Sequence, residues 1–365
     1  MNPLLVTSTA ESTGKTAVTL ALARIAAERG REVGYMKPKG TRLQSVVGKT
    51  LDEDPMLARE LLGTDAEMHE MEPIVYSPTF IEGAIRGRED PDELRERIAE
   101  AYEGLAADAD SMFVEGGGNV HTGGVVDLTD PEVAEIIDAD VLLVAEYGEP
   151  GDVDDLLAAV DDVGDRLAGV LFNRIDDAVY DDVDQDVIPF LTSRDVDTLG
   201  ALPRSPELAG VTVSALADEL GAEVLVEGDS DALVQRFTVG AMGAEEALRH
   251  FRRARDAAVI TGGDRSDIAT AAVEANSVRC LVLTGGHRPS GSVLGKAKEA
   301  GLPVLSVPSD TLTTVDRAED VIRSGRTRDA RTVEVMRDLL ETHADVEALL
   351  GDDDTGSDSG SDTAE

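Results

Sequence analysis

Short apolar runs alternate with segments of helical periodicity along the first half of the chain. Leu4, Leu5 and Val6 form an apolar run of strand length, and residues 17–29 follow with apolar side chains three or four positions apart. The same alternation predicts strands at 32–36, 111–114, 139–145, 167–172 and 196–201, and helices at 56–62, 90–107, 130–137 and 152–163. Continuous apolar strands separated by helices are typical of a parallel sheet covered by helices on both faces. The pattern therefore predicts an α/β fold.

The alternation is interrupted at residues 214–226, which we interpret as a seam, and then starts again. Strands are predicted at 257–261, 279–284 and 303–307, and the first two are each followed by a glycine pair and a helix. This region predicts a second, smaller α/β domain. Residues 332–350 have the periodicity of one more amphipathic helix, and the acidic, low-complexity end of the chain is predicted to be disordered. We expect domains at 1–220 and 223–325, a C-terminal helix at 326–350 and a tail at 351–365.

The first predicted strand and helix are joined by small residues that end in Gly14-Lys15-Thr16. This order is typical of a phosphate-binding loop, in which backbone N–H groups and the positive end of the helix dipole stabilise an anion. Gly14 allows close approach of the backbone, Lys15 supplies a cation for phosphate oxygens, and the Thr16 hydroxyl suits Mg²⁺. The full pattern requires glycine where this chain has Thr9. A chance Gly-Lys-Thr at an ordinary strand-to-helix turn stays open as the alternative.

Charged residues also follow other predicted strands at their carboxyl ends, where parallel sheets bind ligands. Lys37 is a candidate cation for phosphate or for a negatively charged intermediate, the alternative being a solvated surface lysine. Asp54 belongs to an acidic cluster before a helix, which suits N-capping and Mg²⁺ binding equally well. Glu115 ends a buried strand before three glycines and is our first choice for a second Mg²⁺ ligand, against an exposed Glu in a glycine-rich turn.

Two further features each have two interpretations. Asn173 follows the strand at 167–172, where its amide suits the edge of a purine base, although Asn is also common in turns. The glycine pairs at 262–263 and 285–286 suit either a backbone cradle for phosphate or tight turns.

The chain is strongly acidic. Asp and Glu number 74 against 33 Lys and Arg, a formal net charge of −41, so we expect it to bind neither nucleic acid nor anionic membranes. Only six lysines are present, at positions 15, 37, 39, 49, 296 and 298. An acidic excess with few lysines is typical of a salt-rich cytoplasm, as in halophilic archaea. The single cysteine, Cys280, permits no intrachain disulfide, and no apolar run approaches a membrane span. We expect a soluble, cytoplasmic protein.

Taken together, these motifs resemble known families. Residues 1 to about 220 resemble dethiobiotin synthetase and the related ATP-dependent synthetases that amidate cobyrinic acid, through Gly14-Lys15-Thr16, Gly34-Tyr35-Met36-Lys37-Pro38, Asp54, Val114-Glu115-Gly116-Gly117 and Asn173. That family has glycine where this chain has Ser8. Residues from about 223 to 325 resemble a DRTGG domain, through Gly240-Ala241-Met242, residues 263–268 and Leu283-Thr284-Gly285-Gly286. The order of the two is similar to the N-terminal, regulatory half of long bacterial phosphate acetyltransferases, and we expect the acetyltransferase domain itself to be missing.

The resemblance implies a P-loop NTPase-like sheet that binds ATP and Mg²⁺. It implies nucleotide contacts from Thr13, Gly14, Lys15, Thr16, Ala17 and Asn173, Mg²⁺ ligands at Thr16, Asp54 and Glu115, and catalytic roles for Lys15 and Lys37. Two functions follow as hypotheses: a regulatory or sensor protein of acetyl-phosphate and acetyl-CoA metabolism, or an ATP-dependent ligase acting on a small carboxylate. A nucleotide-binding scaffold that no longer turns over ATP is a third. We expect a homo-oligomer, with the DRTGG domain sensing a ligand or dimerising.

Overall fold

The computed structural model describes residues 3–41, 43–46, 49–323 and 329–351. Within these residues the chain forms two compact units. The first contains the residues up to Arg204 together with those from 329 to 351, and the second begins at Ser205 and includes the residues up to 323. The acidic tail predicted to be disordered lies, from residue 352, outside the described residues.

The elements are numbered here in chain order. The strands are β1 (Leu4–Ser8), β2 (Val33–Met36), β3 (Lys39–Gly40), β4 (Leu43–Val46), β5 (Lys49–Asp52), β6 (Ile74–Val75), β7 (Ser111–Glu115), β8 (Asp140–Ala145), β9 (Leu167–Ile175), β10 (Thr198–Pro203), β11 (Val211–Thr212), β12 (Glu223–Val226), β13 (Leu233–Val234), β14 (Arg236–Val239), β15 (Ala257–Gly262), β16 (Val278–Thr284) and β17 (Val304–Ser306). The helices are α1 (Lys15–Glu28), α2 (Glu53–Leu62), α3 (Met68–Met71), α4 (Pro78–Ile85), α5 (Pro91–Ala106), α6 (Asp130–Ile137), α7 (Asp152–Val163), α8 (Tyr180–Asp182), α9 (Ile188–Thr192), α10 (Pro206–Ala209), α11 (Val213–Leu220), α12 (Ala244–Phe251), α13 (Ser266–Val273), α14 (Gly291–Ala300), α15 (Thr311–Arg323), α16 (Ala330–His343) and α17 (Val346–Leu350).

The first unit is built on a six-stranded parallel sheet in the order β10-β9-β8-β1-β7-β2. The central strand is β1, in which Leu4 pairs with Phe113 of β7 on one side and Asp140 of β8 on the other. All five residues of β1 are buried, which explains its uninterrupted apolar run. The predicted α/β fold with a parallel sheet flanked by helices is confirmed.

The helix α1, which follows the phosphate loop, is buried almost all round. It contacts β1, β2 and β7 on one side and α16, from the end of the described chain, on another. Most of its residues are alanine, valine, leucine or isoleucine, so the helix can be buried with few unpaired polar side chains. Enclosure of α1 holds the start of the helix, and the loop before it, in a fixed place.

The predicted single helix at 332–350 is wrong, because the chain breaks between α16 and α17. Ala344 is extended and bridges to Gly200, and the amide of Asp345 donates to Leu199 O at 2.7 Å. The Asp345 carboxylate then accepts from the amide of Ala348 at 3.0 Å and caps α17. Pairing with β10 therefore interrupts the helical periodicity.

The second unit contains a five-stranded sheet in the order β12-β17-β16-β15-β14, in which only β12 runs antiparallel to its neighbour among the described strands. The seam predicted at 214–226 contains folded elements: these residues include α11, whose Leu216 and Leu220 are buried, and β12 at the sheet edge.

The glycine pairs of the second unit form backbone hydrogen bonds with residues of other segments. The amides of Gly263, Gly285 and Gly286 donate to the carbonyls of Thr284, Ser309 and Val307 at 2.8–3.0 Å. A Cβ at Gly263 would lie 2.1 Å from His287 O. Because these amides already bond to backbone carbonyls, the geometry favours tight turns over a phosphate cradle.

Candidate functional site

The phosphate loop connects β1 to α1 and requires glycine at position 14. Gly14 has φ of 93°, and a Cβ there would lie 2.5 Å from Asn173 Nδ2. The first helical bond runs from the amide of Val18 to Gly14 O at 3.1 Å, so the amides of the first turn are directed out of the helix toward the loop. The backbone thus has the form of an anion-binding helix N-terminus.

Lys15 joins two loops at the carboxyl edge of the sheet. Its Nζ donates to Ser8 Oγ at 2.7 Å and to Gly118 O at 2.6 Å, and the side chain is only 7% exposed. Ser8, at the end of β1, thus supplies a hydroxyl acceptor for the lysine. The ammonium is thereby positioned over the loop rather than in solvent.

Thr16 and Tyr35 both bind Glu115 at the end of β7. Thr16 Oγ1 donates to Glu115 Oε1 at 2.7 Å, and Tyr35 OH donates to Glu115 Oε2 at 2.7 Å. Glu115 is 2% exposed, which excludes an exposed Glu in a glycine-rich turn. Burial raises the pKa of Glu115 above its usual value, although Lys37 and the two hydroxyl donors act in the opposite direction.

Lys37 is the centre of a buried cluster of carboxylates. Its Nζ lies 2.9 Å from Asp52 Oδ2 and 3.5 Å from Glu115 Oε1, and it also contacts Asp54 Oδ2. Lys37 is 1% exposed, so it is not a solvated surface lysine. Burial by itself would lower the pKa of Lys37, but the carboxylates of Glu115, Asp54 and Asp52 raise it well above the ordinary value. The surrounding carboxylates therefore favour the charged form of Lys37.

Asp52 is the capping residue of the acidic cluster before α2, so the N-capping interpretation of this cluster is confirmed for Asp52. Asp52 Oδ1 accepts from the amide of Asp54 at 2.9 Å, which caps α2 and starts this helix at Glu53 rather than at the predicted residue 56. Asp52 Oδ2 accepts from the amide of Thr41 at 2.8 Å as well as facing Lys37. Asp52 therefore caps α2 and also pairs with the ammonium group of Lys37. Asp54 is buried and pairs with the same ammonium group.

Glu72 lies behind Asp52. Its Oε2 accepts from the amide of Asp52 at 2.9 Å, while its buried Oε1 has no hydrogen-bond partner among the described residues. Burial raises the pKa of Glu72 to about 7. Sequence reasoning missed Glu72 because it lies in a short segment without motif or periodicity.

Four of these side chains, those of Lys15, Thr16, Lys37 and Glu115, open onto one cleft of about 320 Å³. Asp54 is buried beside Lys37 and is not among the residues that line this cleft. The phosphate loop forms one wall and the glycine segment after β7 another, while Tyr76, Pro78 and Ile81 add an apolar wall that the phosphate loop alone does not require. The cleft is lined by Glu11, Ser12, Thr13, Gly14, Lys15, Thr16, Lys37, Thr41, Tyr76, Pro78, Ile81, Glu115, Gly117, Gly118 and Thr122.

Family profiles match most of both structural units. The profile of the AAA domain family, here the dethiobiotin synthetase-like P-loop type, matches residues 2–212, which is more than half of the chain. The chain belongs to this AAA domain family. The profile of the DRTGG domain matches residues 215–321. The resemblance found in the sequence motifs is thus confirmed for both regions.

The AAA and DRTGG regions together are similar to phosphate acetyltransferases. The enzyme of Pseudomonas putida is 26% identical over 94% of this chain and 51% of its own length, and that of Escherichia coli K12 is 24% identical over 85% and 47%. The ATP-dependent dethiobiotin synthetase of Parafrankia sp. is 34% identical over 40% of this chain and 60% of its own length. This chain spans about half the length of the phosphate acetyltransferases it matches, and it resembles their N-terminal region.

Two solved structures are similar to parts of this chain. The CBS and DRTGG domains of the regulatory region of Clostridium perfringens pyrophosphatase, complexed with diadenosine tetraphosphate, match with a TM-score of 0.29 and 26% identity over 39% of this chain and 57% of that chain. The MinD cell division protein of Aquifex aeolicus matches with a TM-score of 0.36 and 17% identity over 57% and 84%.

The AAA domain brings most of the predicted nucleotide residues to the cleft, but Asn173 lies behind the loop. Its Nδ2 donates to Thr13 O at 2.7 Å, and its side chain is 2% exposed. Arg174, which sequence reasoning did not single out, reaches the same loop by donating to Ser12 O. Ala17 is buried in α1. A contact of Asn173 with the base stays a prediction, while the bond to Thr13 shows that it braces the loop.

The predicted Mg²⁺ ligands of the AAA domain form a suitable donor set. Thr16, Asp54 and Glu115 offer hydroxyl and carboxylate oxygens, which a hard cation prefers. In the described part of the chain no group of three or more His, Cys, Asp or Glu side chains has the arrangement of a metal site on its own. A metal here would therefore need further oxygens, such as those of a bound phosphate.

Across the same described residues, no helix is both long enough and apolar enough to cross a membrane.

Proposed function

We propose that the AAA domain binds Mg·ATP in the cleft and that the protein acts as a nucleotide-dependent regulator or sensor related to the N-terminal region of phosphate acetyltransferases. The observation that carries this proposal is the hydrogen bond of 2.7 Å between Thr16 Oγ1 and Glu115 Oε1. It places a hydroxyl and a carboxylate side by side at the start of α1, as P-loop NTPases do around their metal.

Each part of the cleft has a role in this proposal. The helix N-terminus and Lys15 would bind the phosphates, and Thr16, Asp54 and Glu115 would hold Mg²⁺, which would neutralise charge on the phosphate oxygens. Lys37 would be a second cation facing the phosphate or the substrate. The DRTGG unit supports a regulatory role because a second folded domain accompanies the nucleotide domain. The phosphate acetyltransferase relatives suggest acetyl-phosphate and acetyl-CoA metabolism as the setting.

The shape of the cleft favours a second candidate, an ATP-dependent carboxylate ligase. Thr41, Tyr76 and Ile81 line a part of the cleft beyond the phosphate loop, next to Lys37. A small carboxylate placed there could attack the γ-phosphate while Lys15 and Lys37 offset the charge that develops. The relative that supports this candidate is the dethiobiotin synthetase of Parafrankia sp..

Calorimetric titration with ATP in molar KCl, with Mg²⁺ or with a chelator, tests nucleotide binding. Lys15→Ala removes the cation of the loop, so the dissociation constant for Mg·ATP should rise about tenfold or more. The matched control is Lys296→Met, an exposed lysine of the second unit paired with Glu274 at 3.0 Å, which should bind as the unchanged protein does. Equal affinity of Lys15→Ala and the unchanged protein would contradict the phosphate-loop assignment.

Measurement of ADP release separates the two candidates. The purified protein is incubated with Mg·ATP alone and with each member of a panel of small carboxylates. Tight binding without ADP release supports the regulator, and release that requires one particular carboxylate supports the ligase and names its substrate. Absence of any nucleotide binding would contradict both candidates.

A further inference from the structure

Lys39 is a buried lysine that the proposed nucleotide site does not use. It is one of only six lysines in the chain, and it is 1% exposed. Its Nζ donates to Thr122 O at 2.7 Å, to Asp130 Oδ1 at 2.8 Å and to Leu128 O. An ammonium group has three protons, so these three acceptors fix its position completely.

Asp130, the partner of Lys39, is fully buried at the start of α6. Its Oδ1 also accepts from the amide of Gly117 at 3.1 Å, and its Oδ2 accepts from Thr7 Oγ1 at 2.5 Å. A Cβ at Gly116 would lie 2.1 Å from Asp130 Oδ2. The carboxylate therefore packs against the glycine segment 116–118, in space that a side chain at Gly116 would otherwise need.

Lys39 and Asp130 each form a hydrogen bond with the backbone of a residue that lines the cleft. Gly117, bound by Asp130, and Thr122, whose carbonyl is bound by Lys39, both line the cleft. The next residue, Gly118, supplies the carbonyl that accepts from Lys15 Nζ at 2.6 Å. The position of the Lys15 ammonium thus depends on a segment that the buried pair anchors.

We propose that Lys39 and Asp130 are positioning residues of the nucleotide site: by anchoring the glycine segment 116–118 they orient Lys15 toward the phosphates. This inference rests on the proposed function for its effect on nucleotide binding. A buried ion pair is a weak source of stability, because desolvation offsets most of the attraction, whereas it holds its two segments in one geometry. We therefore expect the pair to contribute to the orientation of the glycine segment and of Lys15 more than to the stability of the fold.

Two variants separate orientation from stability. Lys39→Met leaves the carboxylate of Asp130 buried without its cation and should destabilise the fold. The double variant Lys39→Met/Asp130→Asn removes both charges and should recover much of that stability, yet the carbonyls of Thr122 and Leu128 still lack the ammonium donor. The matched control is Lys296→Met/Glu274→Gln, which removes an exposed pair at 3.0 Å in the second unit.

The affinities for ATP and AMP are measured on each folded variant, with denaturant unfolding measured in parallel. Because Lys15 acts on the outer phosphates, the double variant should lose about tenfold or more in ATP affinity, with AMP affinity changed less than about twofold. A loss of general structure would lower both affinities together. A folded double variant with the ATP affinity of the unchanged protein would overturn the proposal.

Amide hydrogen exchange tests the anchoring without any ligand. In Lys39→Met the amides of Gly117 and Gly118 should exchange about tenfold faster or more, while those of α7 keep their rates. Unchanged exchange at these glycines would overturn the proposal. If the unchanged protein bound no nucleotide, the proposed function would be contradicted, and this exchange measurement would still decide whether the pair anchors the segment.

Discussion

Lys37 is the residue on which the charge balance of the site depends. Three buried carboxylates, those of Asp52, Asp54 and Glu115, face its single ammonium group within 3.5 Å. Burial of so many carboxylates is costly unless a cation compensates them. The cluster explains why Lys37 stays charged although it is buried.

Replacement of Lys37 by Met should destabilise the unliganded protein. The variant leaves the carboxylates without their cation, and we expect a loss of about 3–5 kcal/mol in the free energy of unfolding at neutral pH, smaller at acid pH where the carboxylates take up protons. Denaturant unfolding at both pH values measures this. Lys296→Met, which removes an exposed lysine, is the control, and an equal effect of the two variants would contradict the role given to Lys37.

The raised pKa of Glu72 predicts that the stability of the fold depends on pH. Its pKa is raised from 4.5 to about 7, so the folded state holds the proton more tightly than the unfolded state. The protonated carboxyl therefore contributes stability that is present below pH 4.5 and is lost as the pH rises through 7.

The variant Glu72→Gln should remove this dependence. The neutral amide can still accept from the amide of Asp52, so at about pH 8 the variant should be more stable than the unchanged protein by about 2 kcal/mol after solvent screening. The difference should vanish near pH 4.5. Unfolding curves across this range, with the exposed Glu100→Gln as control, measure it; a constant difference at every pH would contradict the assignment.

At the scale of elements, the site forms where the carboxyl ends of β1, β2 and β7 meet. β1 leads to the phosphate loop, β2 leads to Lys37, and β7 ends in Glu115. β7 lies between the other two in the sheet, so Glu115 accepts hydrogen bonds from Thr16, which follows β1, and from Tyr35, which lies in β2. The order of strands, rather than the order in sequence, places Glu115 at the centre.

Replacement of Glu115 by Gln should weaken nucleotide binding in Mg²⁺ more than in a chelator. Gln keeps an acceptor for Thr16 but loses the negative charge that a divalent cation requires. Titration with ATP under both conditions gives the two dissociation constants. The control is Glu100→Gln, an exposed residue of α5 that does not line the cleft, for which we expect no change. Equal effects of Glu115→Gln with and without Mg²⁺ would remove Glu115 from the metal site.

At the scale of the whole molecule, the chain leaves the first unit after Arg204 and returns to it with α16 and α17. α16 contacts α1, the helix that begins at the phosphate loop, and Arg337 of α16 forms an ion pair with Glu28 of α1. α17 also contacts α1, and its Glu347 forms an ion pair with Arg29 at the end of α1. The end of the described chain is therefore part of the first unit. The expectation of a homo-oligomer stays a prediction.

Replacement of Leu340 by Ala should loosen α1. Leu340 is fully buried in α16, and deletion of its side chain should cost about 2–5 kcal/mol. Hydrogen exchange of the α1 amides should therefore accelerate. The matched control is Leu283→Ala, which makes an equal deletion in the core of the second unit and should leave α1 unchanged. Acceleration by both variants alike would show that α1 does not depend on α16.

The sequence by itself determined the parallel α/β fold, the loop pattern that ends in Gly14-Lys15-Thr16, and the positions of Lys37 and Glu115 after neighbouring strands. These features depend on local patterns: apolar runs, helical periodicity, and a few charged residues placed after strands. The burial of Lys37 and Glu115 was decided by the tertiary structure. The comparisons confirmed the two domain families that the motifs indicated.

Only the tertiary structure decided what lies far apart in sequence and carries no periodic signal. The contacts of Asp52 and Glu72, the buried pair of Lys39 and Asp130, and the placing of Asn173 behind the loop all depend on segments 20 to 160 residues apart. The break between α16 and α17 likewise follows from pairing with β10. The physical reason is the same in each case: local propensity sets the elements, but long-range hydrogen bonds and ion pairs form only after the elements have packed.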